Sequence, residues 1–369
     1  MGLLSDMDQN NKNRLLLFIH LPPPYHGVSI INSYAKNILR SSNEFIINTI
    51  PIRPNKNITS LKGISIKKVF YSIKLLYTLL RRIIVFKPQS FYFTPTSKYP
   101  VFIRDLIFIL IAKLSGARVF LHFHRQGLSD IINKNPFVKK FTGLVLKNCT
   151  LIHITPYLVE KEFVETKLNE KTNTQFIPNP LISPPTLLRN IEKRKSQMLF
   201  FSNLIHEKGV LELINCMSLV INQKPEVRLI ISGAIVSKTY YQKIINRIVE
   251  LNISGYIEII PNPSNEEKVK LFNESEIFVL PSNEDCFPLV INEALSYNLP
   301  VITTRIGGLN TVFDEDKNYI NFTNNDPLSL STCIYNTFEQ KNTNVLLSDK
   351  LSSLNKIFKE KLITILSHK

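Results

Sequence analysis

The sequence predicts an α/β protein made of two doubly wound domains facing an interdomain cleft. Three observations carry that expectation. The 369 residues exceed one ordinary domain and suit two of about 180, each long enough for its own core. Short apolar runs alternate with longer amphipathic segments, the order expected of parallel sheets covered by helices on both faces. The segment FIPNPLISPPT at 176–186 places four prolines in eleven residues near mid-chain, a linker or hinge signal. Two sheets joined there would face ligands at their carboxyl ends, where such folds bind them.

The elements follow in order. In residues 1–180, strands are expected at 14–20, 45–50, 90–93, 118–123 and 150–154, with helices at 28–40, 66–86 and 100–115. Runs as apolar as RLLLFIH and RVFLHF suit strands buried on both faces. Residues 181–348 repeat the scheme, with strands at 197–202, 227–232, 256–260, 276–280 and 300–304. Helices are expected at 209–222, 238–251, 264–274, 287–297 and 327–340, and a last one at 349–366 within a terminal segment 349–369. Ser264 and Glu267 have the spacing of a capping box at the start of the 264–274 helix.

Composition narrows the class. Apolar residues make up 44% and charged residues 20%, the balance of a globular chain. Cys149, Cys216, Cys286 and Cys333 form no C-x-x-C pair and suggest no disulfide framework. The polar opening MGLLSDMDQNNKN lacks a signal-peptide core, so a reducing, cytoplasmic setting is expected. The most apolar run, Leu106 to Ala112, is far short of the ~20 residues that span a bilayer. The net charge is +16, and residues 1–180 hold 25 Lys and Arg against 9 Asp and Glu. The second half is balanced, so the basic half is expected to meet an anionic partner: a membrane surface, a phosphorylated lipid or nucleic acid. No nucleic-acid module and no cationic stripe interleaved with stacking aromatics is present, which sets nucleic acid aside.

The most informative stretch is PSNEDCFPLVINEALSYNLPVITTRIGG, residues 281–308. An apolar strand ends at Pro281, an acidic loop Glu284-Asp285 follows, and a helix is expected from Phe287. Backbone N–H groups of Phe287, Leu289 and Val290 at such a helix start can cradle a phosphate or sugar oxygen; Pro288 between them has none. Carboxylates that would repel a bare phosphate suit a polyol, whose hydroxyls donate to them. The bland reading of Glu284 and Asp285 is a helix cap, which carboxylates favour anyway. The whole string resembles the Glu-x7-Glu region of retaining GT-B glycosyltransferases of the family-four type (glycosyl transferases group 1). The matching features are Glu293-Ala294, Asn298-Leu299-Pro300-Val301-Ile302 and Gly307-Gly308. The resemblance implies two Rossmann-like domains and a nucleotide-diphosphate sugar as donor, with no metal or other cofactor. It implies that Glu293 holds the ribose hydroxyls and that the loop acid contacts the donor sugar. Counting back eight from Glu293 reaches Asp285, with Glu284 one residue further out, and both are candidates.

Other positions match less fully. FFSNLIHEKGVLELI (200–214) is similar to the family's pyrophosphate segment: Lys208-Gly209 correspond to its Lys-Gly, but Ser202-Asn203 stand in place of Gly-Arg. Losing the guanidinium removes a bidentate phosphate clamp. After the first strand, LPPPYHGVSIINSYA keeps one glycine, Gly27, where the resemblance implies a loop approaching the donor. His122 and His124 share one side of a strand end, and the resemblance implies that His124 contacts the transferred sugar. No third ligand accompanies them, so a metal site is not expected. Asp314-Glu315-Asp316 reads as a solvated loop.

Ile66, Val69, Phe70, Ile73, Tyr77, Leu80 and Ile84 fall on one helical stripe, with Lys67, Lys68, Lys74, Arg81 and Arg82 on other faces. One reading docks this stripe on a membrane near a lipid-linked acceptor; the other packs it on the sheet. The resemblance further implies that the 349–369 segment crosses back to the first domain. The expectation is transfer of a sugar, with retention, to an anionic or lipid-linked acceptor in surface polysaccharide or glycolipid assembly, peripheral on the inner membrane face. The alternatives are a GT-B sugar-nucleotide epimerase and a non-catalytic sugar-nucleotide-binding partner.

Overall fold

The computed structural model describes residues 12–23, 26–53, 65–182, 192–313, 320–340 and 347–367. Asp314 to Asp316, the end of the proline-rich segment and most of the polar N-terminal stretch lie outside them. The chain divides into two compact units: Met1–Pro180 together with Lys356–Lys369, and Leu181–Asn355. Among the described residues, each unit contains a six-stranded, all-parallel sheet.

In the first unit the strands are β1 (Asn13–His20), β2 (Phe45–Ile52), β3 (Ser90–Phe93), β4 (Arg118–His122), β5 (Thr150–His153) and β6 (Asn173–Phe176), in the order β2-β1-β3-β4-β5-β6. Interior strands are covered on both faces, so Leu15 to Ile19 of β1 are all buried, and the run reads as continuously apolar. The Phe18 ring stacks on Phe93 with centroids 5.1 Å apart. The helices are α1 (Gly27–Ser41), α2 (Ile66–Phe86), α3 (Val101–Leu114), α4 (Leu128–Asn133), α5 (Pro136–Leu146) and α6 (Pro156–Val159), the last running into a π-helical turn, Glu160–Val164. One sheet face, including Leu16, Phe18, Phe93 and Leu121, forms a single core with α2, α3 and α5.

The second unit holds β7 (Gln197–Phe201), β8 (Arg228–Gly233), β9 (Ile257–Pro261), β10 (Ile277–Leu280), β11 (Val301–Thr303) and β12 (Ile320–Phe322), in the order β12-β11-β10-β7-β8-β9. Its helices are α7 (Val210–Gln223), α8 (Lys238–Glu250), α9 (Asn265–Glu274), α10 (Leu289–Ser296), α11 (Asn310–Phe313) and α12 (Pro327–Glu339). The Ser264 hydroxyl accepts from the Glu267 N–H at 3.1 Å, and the Glu267 carboxylate accepts from the Ser264 N–H at 2.7 Å; α9 is therefore closed by a capping box. A last helix, α13 (Leu347–Ser367), supplies Phe358, Leu362 and Leu366, all fully buried. The residues of α13 from Lys356 onward belong to the first unit.

Strand order locates the binding edges. In the first unit the chain leaves β1 toward β2 and later returns on the other side with β3. In the second, β7 leads outward to β8 and β9, while β10 leads the opposite way. Loops diverge at these reversals and open a crevice at the carboxyl ends of the strands. The two crevice positions are thus after β1 and β3, and after β7 and β10.

Candidate functional site

At the reversal of the second unit, the turn His206–Lys208 follows β7 and hands the chain to α7 through Gly209. Gly209 has φ +72°, and a Cβ there would collide with the Pro281 carbonyl oxygen. Backbone therefore packs on backbone, which only glycine allows. The acidic loop after β10 is tied to this turn: the N–H groups of Asn283 and Glu284 both donate to the Glu207 carbonyl, at 2.9 and 3.1 Å. From the other side, Thr304 Oγ1 donates to the Ser282 carbonyl at 2.5 Å, and Asn325 Nδ2 donates to that of Pro281 at 3.0 Å. Gly307, at φ +57°, lies against the Asp285 and Cys286 carbonyls so closely that a side chain would have no room.

This bracing fixes the chemistry. Lys208 forms a direct ion pair with Asp285, and each side chain retains under a fifth of its exposure. Asp285 Oδ1 also accepts from the Cys286 N–H at 2.8 Å. Two residues that the sequence places in one site are thus brought together, 77 positions apart. Asn203, by contrast, lies exposed on the β7 loop.

The helix after the acidic loop begins at Leu289, later than its apolar pattern suggests. Phe287 is buried with its ring 5.9 Å from that of Phe313, and Pro288 is the N-cap residue. The Phe287 N–H therefore precedes the helix, and Leu289 and Val290 supply its first amides, with no side chain capping them. Glu293 of α10 pairs with Lys268 of α9 at 2.8 Å. Lys268, which sequence reasoning missed, also has its ammonium 5.3 Å from the centre of the Phe201 ring at the end of β7.

In the first unit, histidines crowd the carboxyl edge of the sheet. Gly27 is exposed at the first position of α1, but the helix is already capped by His26, whose Nδ1 accepts from the Ser29 N–H at 3.3 Å. Asn32 Nδ2 donates to the His20 carbonyl and to Thr94 Oγ1, both at 3.1 Å, bridging the ends of β1 and β3. His122 and His124 lie with ring centroids 4.1 Å apart, and His122 Nδ1 shares a 2.7 Å hydrogen bond with the Tyr92 hydroxyl. Burial pushes His20 down to about 4, and His124 and His153 down to about 3, with neighbouring histidines adding to each shift. His122 is lowered for the same reasons. These imidazoles are therefore held in the neutral form. Neither ring nitrogen of His124 makes a well-formed hydrogen bond, although the nearby Asn179 side chain favours its protonated form.

The loop carrying His124 is held at three points. The Phe123 N–H donates to the Ile152 carbonyl at 2.8 Å, and Ser97 Oγ donates to that of Arg125 at 3.1 Å. The fully buried Glu162 accepts from the Gly127 and Ser129 N–H groups at 2.9 and 2.8 Å. No feature of the sequence marks Glu162 for this task. Among the described residues, no group of three or more His, Cys, Asp or Glu is arranged to hold a metal ion.

Two all-parallel α/β units with polar groups gathered at their strand reversals define a GT-B protein. HepE from Anabaena, solved in complex with UDP, shares that fold over 95% of this chain and 100% of its own, with a TM-score of 0.66 at 13% identity. Residues 189–349 match the family model for Glycosyl transferases group 1. The capsular polysaccharide biosynthesis glycosyltransferase CapM of Staphylococcus aureus is 25% identical over 128 residues, 33% of this chain and 31% of the relative. A D-inositol 3-phosphate glycosyltransferase of Corynebacterium urealyticum is 29% identical over 132 residues, 35% of this chain and 31% of the relative. The aligned stretches thus span about a third of each relative's length.

Proposed function

We propose that the chain is a glycosyltransferase that moves a sugar, with retention, from a nucleotide-diphosphate donor to an anionic or lipid-linked acceptor. The observation that carries this is the Lys208–Asp285 pair at the β7/β10 reversal. A cation beside a carboxylate suits a ligand that is anionic at one end and rich in hydroxyls at the other. Lys208 and the amides of Leu289 and Val290 would hold the diphosphate. Asp285 and Glu284 would accept from sugar hydroxyls, and Glu293 from the ribose. His124, neutral at working pH, would hydrogen-bond the transferred sugar.

As the bond from the anomeric carbon to the diphosphate breaks, Lys208 and the helix amides stabilise the charge left on the phosphate. The departing phosphate oxygen takes the proton of the acceptor hydroxyl, whose oxygen bonds the anomeric carbon on the same face. Nucleoside diphosphate then leaves. Lys208 and the helix amides would meet the diphosphate charge without a metal ion. The kinship with CapM favours surface polysaccharide or glycolipid assembly, with the chain peripheral on the inner membrane face.

The test is incubation with a panel of nucleotide sugars, with and without extracts containing lipid-linked acceptors. Release of nucleoside diphosphate and a product of unchanged anomeric configuration are expected. Donor binding without turnover in every mixture would favour a non-catalytic sugar-nucleotide-binding partner. That reading has one observation behind it, the exposed Asn203 where related sites carry a phosphate-clamping arginine.

A further inference from the structure

Helix α2 carries two apolar faces, and only one of them is used inside the protein. Leu75 and Leu79 are buried, with Tyr71, Leu76, Ile83 and Phe86 packed beside them against the sheet core. The opposite face is formed by Ile66, Phe70, Ile73, Tyr77, Leu80 and Ile84. Their spacing alternates between four and three residues, which keeps them on one line along a helix, and they are between 41% and 75% exposed. The stripe read from the sequence therefore points outward, and a second, less regular set does the packing.

Charge defines what this face can meet. Lys67, Lys74 and Arg81 recur every seven residues and run along one flank of the exposed stripe, and α2 contains no Asp or Glu. The other helices packed on this sheet face also expose apolar side chains. Leu114 of α3 and Phe137 and Leu144 of α5 are 78%, 77% and 68% exposed, beside Lys139 and Lys140. Among the described residues no helix is long and apolar enough to cross a membrane. An apolar line bordered by cations, on a helix that cannot span, matches the interfacial plane of an anionic bilayer. A second copy of this chain fits poorly, because a two-fold contact would oppose these cations to one another with no carboxylate on α2 to answer them.

We infer that α2 lies in the plane of an anionic phospholipid surface, with Phe70, Ile73, Tyr77 and Ile84 entering the acyl boundary and Lys67, Lys74 and Arg81 at the headgroups. This deepens the membrane side of the proposed function and rests on the surface of the first unit alone.

The sequence contains no tryptophan, so Phe70→Trp introduces a single indole in the stripe. Full-length Phe70→Trp protein is mixed with vesicles of phosphatidylglycerol and phosphatidylcholine, or of phosphatidylcholine alone, without donor present. Co-sedimentation with the anionic vesicles and a blue-shifted indole are expected, both weakened by salt. Lys74→Glu with Arg81→Glu in this background should lower vesicle affinity at least about twentyfold, since each cation near such a surface contributes about fivefold. Val236→Trp, on the second unit at a 64% exposed position, should bind alike but show no shift. Equal binding to neutral vesicles, no binding, or an unshifted Phe70→Trp indole overturns the inference. So does an indole already shielded without lipid in a sedimenting dimer. Matching circular dichroism melts separate these outcomes from misfolding. Release of nucleoside diphosphate from soluble donor, measured apart, reports on the transferase reading independently.

Discussion

Asp285 faces two demands that pull apart, and the ion pair with Lys208 shows how they meet. Its carboxylate holds the only lysine of the β7 turn and competes with any diphosphate for that cation. If Asp285 serves the sugar while Lys208 serves the phosphate, Asp285→Asn should free Lys208, tighten binding of nucleoside diphosphate alone and lower transfer. Lys208→Ala should weaken nucleoside diphosphate binding about tenfold or more, the scale of a charge-assisted hydrogen bond. Calorimetry on both variants checks the pair; a parallel loss of binding in both would show that Asp285 acts only by shaping the loop. Lys208, Asp285 and Glu293 were legible in the sequence because each sits at a fixed offset from a glycine or an alanine in a recognisable string. Lys268 and Glu162 were not. Lys268 looks like any solvated helix lysine until α9 and α10 bring it within 2.8 Å of Glu293. Glu162 lies on an irregular turn, and its partners are amides 33 and 35 residues away.

At the scale of elements, the interior strands were readable because burial on both faces demands unbroken apolar runs. Two of the edge strands were not: β6 is NTQF with no fully buried residue, and β12 is three residues long. Helix α10 starts late because Phe287 turns inward and Pro288 holds the cap position. In α2 the sequence revealed the outward stripe, while the packing face is too irregular to stand out. The strand ends of the first unit carry a further consequence. His20, His122, His124 and His153 all have folded-state values below the ordinary 6.5. The unfolded chain therefore takes up protons below pH 6.5 that the folded unit refuses. Stability is fully present above that pH and is lost progressively down to about 4 for His20 and about 3 for His124 and His153. Each histidine held neutral contributes about 1.4 kcal/mol per pH unit in this window. The second unit has only His206, which is exposed. Hydrogen exchange followed peptide by peptide should show the first unit opening more readily at pH 5 than at pH 7.5, with the second nearly unchanged.

At the scale of the whole molecule, two sheets of equal size come from unequal stretches of chain. The second unit is continuous, Leu181–Asn355, whereas the first is split, because α13 returns to it after the second is complete. Phe358 packs 5.8 Å from the Tyr34 ring, and the Lys361 ammonium sits 3.4 Å from the centre of the Phe176 ring. Leu366 offers its carbonyl to Asn13 at 3.4 Å. The unit begun earlier in this chain is therefore finished after the one begun later. Its sheet must wait, missing three buried side chains, while about 175 further residues are made and can fold as a domain of ordinary size. Chains truncated after residue 355 and released from the ribosome should yield a protease-resistant second unit and a first unit that is digested. Extending them to residue 367 should protect both.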